Sequence, residues 1–325
     1  MKPQVVSFGE ILWDVYETSP GKFERKLGGA PANLAVTLAR LGVRAAVVGG
    51  VGQDRFGADL KAFLADSGVD TRFVIRLPNR TGLAFVGRDA LGEPTFLFYR
   101  HHTADMALTA ADVLPAMGNC TWALIGTSTL VDSDLAGTGL ENATRRFLKV
   151  ARAHRAHLVV DLNVRAHLWK SLNGMREAIA SVLEPAMLVK ASSADLTALG
   201  VGDEAKALAW VVSRAEGATV VLTRGPGPAS AVGAHGTVSV MPPAAKLVDA
   251  TGAGDAFVAG VLATLLAARA LPTSPKWKSA EMWTAALKIG SMLGSKAIRK
   301  RGAVAGITGL ARIHSSLRRI ERGKN

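Results

Sequence analysis

His157-Leu158-Val159-Val160-Asp161 is a short apolar run closed by a carboxylate, with the length and composition of a strand buried on both faces. Similar runs recur on either side of it. Val5-Val6-Ser7-Phe8-Gly9, Ala45-Ala46-Val47-Val48-Gly49, Trp122-Ala123-Leu124-Ile125-Gly126, Met187-Leu188-Val189-Lys190 and Thr219-Val220-Val221-Leu222-Thr223 end in, or run into, glycine or polar residues. Between them, residues 32–41, 60–65, 139–153 and 203–214 carry apolar side chains at helical spacing. This alternation predicts an α/β chain forming a single three-layer domain over residues 1–325, with a central, mostly parallel sheet covered by crossover helices.

Residues 11–26 and 81–100 interrupt the alternation. Both are extended, with turn punctuation at Gly21, Gly87 and Gly92 and no crossover helix between their strands. They predict a small β lid over the carboxyl edge of the main sheet, where open α/β sheets bind ligands. The alternative is a set of extra edge strands. An exposed lid edge also invites a second copy of the chain, so a homodimer through the lid stands beside a monomer.

The 325 residues can bury a sizeable core, and 49% hydrophobic with 20% charged residues is an ordinary globular balance. The single Cys120 leaves no internal disulfide and no cysteine-based metal site, pointing to a reducing compartment. A strand-like segment begins almost at Met1, and no uncharged apolar run reaches the ~18 residues of a membrane span. The expected setting is therefore cytoplasmic, away from membranes. The formal charge of +13 favours anionic ligands. Nucleic acid is not expected, because the basic residues are dispersed, aromatics are 6% of the chain and no stacking platform is visible.

The chemistry is concentrated in Asp249-Ala250-Thr251-Gly252-Ala253-Gly254-Asp255-Ala256-Phe257. Phe257, Val258, Val261, Leu262, Leu265 and Leu266 then form a helical apolar face, so the run lies at a helix N-terminus. Small residues leave the Gly252, Ala253 and Gly254 amides open to an anion, and the helix dipole adds partial positive charge. Asp255, in the first turn, suits a carboxylate that orients an alcohol and takes its proton during phosphoryl transfer. The dipole predicts a low pKa for it. Taken alone, the residues equally allow a plain helix-capping role. Phosphate-loop, dinucleotide, protein-kinase and nucleophile-elbow patterns are all missing.

The run 249–257 resembles the C-terminal signature of the ribokinase/PfkB sugar-kinase superfamily. Gly28-Gly29-Ala30-Pro31-Ala32-Asn33, with Ala35 and Leu41-Gly42, resembles its N-terminal signature. Gly9-Glu10 with Asp14, residues 49–57, Thr223-Arg224-Gly225 and Arg301-Gly302-Ala303 extend the likeness over nearly the whole chain. The resemblance implies a Rossmann-like ribokinase fold with a small β lid, ATP and Mg²⁺ as cofactors, and a small-molecule sugar as the other ligand. It makes Asp255 the base and the amides of Gly252, Ala253 and Gly254 an anion hole. Asp14, Gly29, Asn33 and Arg100 are implied to meet the sugar, with Gly28 allowing close backbone approach.

Asp161-Leu162-Asn163-Val164-Arg165, then Leu168-Trp169, resembles a segment of fructokinases and 2-keto-3-deoxygluconate kinases, with Leu162 where many relatives have proline. Arg165 is implied to face the phosphates. Lys190 and Ser192 are implied to bind nucleotide, and Asp195, where glutamate is commoner, to reach Mg²⁺ through water. Thr223, Arg224 and Gly225 should flank the ATP ribose and phosphates, although Pro228 replaces a usual glycine. Ser291 and Gly294 should line the adenine pocket. Asp249, with the turn 301–303, is implied to help hold a monovalent cation, K⁺. Phe98-Tyr99-Arg100 followed by Ala104-Asp105 and Leu108 resembles fructokinases, which makes fructose the first expectation. 2-Keto-3-deoxygluconate, ribose or a nucleoside are the other substrates, and a non-catalytic sensor of sugar or nucleotide is the remaining class.

Overall fold

A computed structural model describes residues 2–88, 94–131 and 139–323. In chain order the elements begin β1 Val5–Phe8, β2 Leu12–Ser19, β3 Lys22–Gly28, α1 Ala30–Arg40, β4 Ala45–Gly52, α2 Arg55–Asp66, β5 Val74–Leu77, β6 Leu83–Arg88 and β7 Pro94–Tyr99. The middle of the chain forms β8 Trp122–Gly126, α3 Leu140–Ala153, β9 His157–Asp161, α4 Leu172–Leu183, β10 Ala186–Ser192, α5 Ser193–Ala198 and α6 Glu204–Arg214. The last part forms β11 Thr219–Thr223, β12 Ala229–Gly233, β13 Gly236–Val240, α7 Ala253–Ala268, α8 Ala280–Ala297 and α9 Ala311–Glu321.

The main sheet has the order β13-β12-β11-β10-β9-β8-β1-β4-β5. From β11 to β5 every pairing is parallel. The β11–β12–β13 edge is antiparallel, a hairpin that the sequence did not announce. Its residues alternate short polar and apolar groups and lack the continuous apolar character of the central strands. Along β1 and β9 successive buried side chains enter opposite layers. Val5 and Val159 pack with α1, α7 and α8, whereas Val6 and Val160 pack with α3 and α4. Two apolar layers, one on each face, make the expected three-layer architecture.

The interrupting segments form a separate sheet of order β3-β2-β6-β7. Gly21, at φ 72, turns the β2–β3 hairpin. Gly87 is not a turn: it lies within β6 opposite Thr95, where the ladder continues through it. Gly92 falls outside the described residues. β2 joins β6 in parallel register, Asp14 beside Ala84. The lid is fastened below by Trp13, whose Nε1 donates to the Phe56 carbonyl at 3.1 Å.

Chain order reverses about β1, with β4 on one side and β8 on the other. Such a switch opens a crevice at the carboxyl ends of the strands. Those ends carry Glu10 after β1, Ser128 after β8, Asp161 and Asn163 at β9, Ser192 on β10 and Thr223 on β11. All of them face one cavity.

Candidate active site

The cavity, about 440 Å³, lies between the strand ends, the lid and the start of α7. A neighbouring cavity of about 690 Å³ shares Thr223, Gly225, Ala250, Ala253 and Gly254 with it, so one cleft passes on either side of the α7 turn. Asp255 lines the first part, beside Asn33 and Asp14. The second part is lined by Pro242, Pro243, Phe257, Ser291 and Gly294.

Gly252 caps α7 in the left-handed conformation, φ 76, which glycine adopts without strain. A Cβ there would stand 2.4 Å from the Ala303 Cβ. The turn is therefore shaped by glycine and by the packing of residues 301–303 beneath it. The expected row of three open amides is modified, because the Ala253 N–H turns back to the Ala250 carbonyl at 3.2 Å. Among the described residues the N–H groups of Gly252, Gly254 and Asp255 have no partner, so Asp255 takes the place of Ala253 in a set of three amides open to an anion. A Cβ on Gly254 would come within 3.0 Å of Lys190 Nζ, so glycine also lets the ammonium approach the turn.

Lys190 is buried and lies 3.1 Å from Asp161 Oδ1. Burial alone would discharge it, but Asp161 and Asp195 hold its pKa above the usual lysine range. Asp195 does not line the cleft. Its Oδ1 accepts the Val164 N–H at 2.8 Å and its Oδ2 the Ser192 N–H and hydroxyl at 2.8 and 2.7 Å, a capping box at the start of α5. Asp195, expected to reach Mg²⁺ through water, thus uses its two oxygens to fasten two loops. Ser192, its capping partner, does reach the cavity wall. Arg165 lines the same wall, next to Asn163 at φ 35. Leu162 uses the N–H that a proline lacks, donating it to the Lys190 carbonyl at 2.9 Å.

Asp255 departs from expectation in its charge. Asn33 Nδ2 donates to Asp255 Oδ2 at 2.9 Å, which joins the starts of α1 and α7. Burial pushes the Asp255 carboxyl up to about 7, the charge of Asp161 adding to the shift and the Asn33 bond opposing it. Protein packed around the cleft outweighs the helix dipole on which the low value was predicted. Burial likewise raises Asp14 well above the carboxylate range, helped by Asp249, Asp255 and Glu10.

Gly28 is absent from the cavity wall. A Cβ on it would sit 2.4 Å from Asp14 Oδ1, so its service is to make room for that carboxylate. Gly29, at φ 96, does line the cavity beside Asn33, and Asn33 Oδ1 is buried without a partner among the described residues. Arg100 reaches the cavity paired with Asp105. Thr223 and Gly225 line both parts of the cleft, and Arg224 lines the second part while its guanidinium holds Glu204 at 2.8 Å. Pro228 fits a closed loop, its carbonyl accepting from Arg224 Nη1 at 3.1 Å. Ser291 Oγ is buried without a partner among the described residues, an acceptor and donor left for a ligand. Asp249 stands behind the turn. Burial would raise its pKa, but the Gly302 N–H at 2.8 Å and the Thr251 hydroxyl and N–H hold it below the usual range.

Sequence reasoning gave no role to Glu10, Phe98, Ser128, Asp161 or Asn163, all on the cavity wall. A signal existed for Glu10 and Asp161, since both stand at the carboxyl end of a parallel strand. Ser128 carried none.

A family model described as pfkB family carbohydrate kinase matches residues 2–308. The chain belongs to the PfkB family. This kinase is 33% identical over 313 residues to Fructokinase-1 of Oryza sativa subsp. japonica, covering 92% of its own length and 93% of the relative's. It is 34% identical over 317 residues to Fructokinase-1 of Zea mays, with the same two coverages, 92% and 93%. Among solved structures it resembles the fructokinase of Vibrio cholerae O395 in its fructose, ADP and calcium ion bound form, with TM-score 0.83 and 26% identity over 97% of this chain and 99% of that one. The fructokinase of Xylella fastidiosa with bound ATP gives TM-score 0.82 and 28% identity over 100% of both chains. The PfkB kinase is accordingly an ATP-dependent carbohydrate kinase. No helix among its described residues is long and apolar enough to cross a membrane.

Proposed function

We propose that the kinase transfers the γ-phosphoryl group of ATP to fructose, giving fructose 6-phosphate, with Asp255 as the base. The observation that carries this reading is the position of Asp255: beside the sugar-sized cavity, hydrogen-bonded to Asn33, and one residue from a turn of unpartnered amides. The sugar lies against Asp14, Gly29, Asn33 and Arg100. Its attacking hydroxyl donates to the Asp255 carboxylate, which receives the proton as the new P–O bond forms. The Gly252 and Gly254 amides meet the phosphoryl oxygens, where loss of one such donor costs on the order of 2.7–4 kcal/mol. Lys190 and Arg165 supply positive charge on the same wall. Adenine occupies the second part of the cleft, against Ser291 and Gly294.

Fructose is favoured by the fructokinase relatives and by the pairing of Arg100 with Asp105. Among the described residues no group of three His, Cys, Asp or Glu side chains is arranged to hold a metal. A divalent ion, Mg²⁺ in our reading, would be held by the nucleotide phosphates, and Asp161 is the carboxylate of that wall that would help hold it. When bound it neutralises phosphate charge. K⁺ belongs beside Asp249 and the turn 301–303. Two lids pair through their exposed outer face to make a dimer.

The test is ATP consumption on fructose, 2-keto-3-deoxygluconate, ribose and a nucleoside panel. Fructose should give the highest kcat/KM, and preference for another member would overturn the assignment of substrate. Asp255→Ala should keep near-normal ATP affinity and lower kcat by about 10²–10⁴. Wild-type turnover in that variant would require another base, and ligand binding without turnover in the native protein would indicate a sensor.

A further inference from the structure

Arg100 follows β7 and meets Asp105 through two nitrogens. Nε donates to Asp105 Oδ2 at 2.7 Å, and Nη2 lies 2.6 Å from the same oxygen. Nη2 also donates to Met106 Sδ at 3.4 Å. The second carboxylate oxygen accepts the Thr103 hydroxyl at 2.6 Å. The Asp105 side chain is 0% exposed and that of Arg100 13% exposed, so the arginine faces the cavity while the aspartate stands behind it. Two glycines fix the aspartate there. A Cβ on Gly82 would lie 2.8 Å from Asp105 Oδ1, and one on Gly50 only 2.2 Å from the preceding carbonyl, that of Ala104.

An arginine clamps a carboxylate by presenting parallel N–H groups from two nitrogens. In Arg100, Nε and Nη2 are both engaged, and among the described residues only Nη1 has no partner. A single nitrogen with its charge balanced by a neighbouring carboxylate suits a hydroxyl. Glu10, Asp14 and Asp255 line the same cavity, so the carboxylate of a sugar acid would join three acidic side chains already gathered there.

We propose that Asp105 is a positioning residue that sets the charge class of the acceptor: by occupying two nitrogens of Arg100 it turns a potential carboxylate clamp into a hydroxyl donor. The site therefore takes neutral sugars and refuses sugar acids. This rests on the sugar-kinase reading above and adds to it the residue that decides between two of its candidate substrates.

The experiment measures kcat/KM for fructose and for 2-keto-3-deoxygluconate in the wild type, Asp105→Asn, Asp105→Glu and the double variant Arg100→Gln/Asp105→Asn. Asp105→Asn keeps the shape and removes the charge, so the fructose-to-acid ratio should fall by about tenfold or more, chiefly through a lower KM for the acid. Asp105→Glu restores the charge and should return the ratio towards wild type. The double variant leaves no buried unpaired charge and no guanidinium to free, so its kcat/KM for the acid should not rise above wild type, while that for fructose falls with the lost Arg100 contact. It keeps the test decisive even where Asp105→Asn fails to fold. An unchanged ratio in folded Asp105→Asn, or a gain of about tenfold or more in acid kcat/KM in the double variant, overturns the proposal. A wild type that phosphorylates no neutral sugar overturns the underlying reading instead.

Discussion

In the proposed reaction Asp255 accepts a proton in a place that disfavours its charge. Its pKa is pushed up to about 7 by burial first and then by Asp161, so the carboxyl stays protonated through much of the acidic range. The expected consequence is a kcat/KM that rises with pH through about 7, a limb that Asp255→Asn removes along with most of the activity. Stability should move in the opposite sense. A carboxyl whose folded pKa is raised contributes stability that is complete below its unfolded pKa of about 4 and is lost as pH rises through about 7. Asp255→Asn should therefore melt above wild type near pH 8 and level with it near pH 4, as thermal melts at the two pH values would report. Asp14 is raised for the same leading reason and keeps part of the pH dependence in the variant. None of this was legible from Asp255 and its neighbours in sequence. The helix dipole could be read from residues 252–266, but Asp161 and Glu10 arrive from other strands, and burial is a property of the assembled cleft.

Among the elements, the turn at the start of α7 leaves no room for a side chain. Gly252→Ala must place a methyl group 2.4 Å from the Ala303 Cβ at φ 76. The expected result is a kcat lower by about 10²–10³ with a small change in fructose KM, measured by initial rates, because the displaced amides serve the phosphoryl group. The melting temperature should fall as well, by the equivalent of about 1–3 kcal/mol. The sequence carried this element plainly: glycines, an acid and a long apolar face fixed both the turn and the helix behind it. The central strands were equally plain, since β8, β9 and β11 are continuous apolar runs bounded by polar residues or glycine. The antiparallel β12–β13 edge was hidden by its half-polar composition. Gly87 was misread because a glycine inside a strand looks like a turn until its partner, Thr95, is known. Asp105 was read only as part of a resemblance, and its pairing with Arg100 was hidden for a similar reason: Gly50 and Gly82, which make room for it, are brought beside it only in the folded chain.

Across the whole molecule the lid presents its outer face to solvent. Phe23 is 58%, Leu97 61% and Tyr99 58% exposed, and Phe85 joins Phe23 and Tyr99 edge-to-face. β7 is an edge strand carrying two of these side chains. Sedimentation equilibrium should accordingly give twice the chain mass for the wild type and the chain mass for Leu97→Arg, since a buried unpaired charge opposes pairing. Two monomeric results would remove the dimer. The lid also reaches the far end of the chain. Gly302 donates its N–H to Asp249 behind the phosphate turn, and a Cβ on Gly302 would press within 2.8 Å of Lys26 Cγ on β3. The lid strand and the turn before α7 thus meet at one glycine, through its Cα and its N–H. Any side chain at position 302 would therefore push β3 of the lid and the turn before α7 apart together.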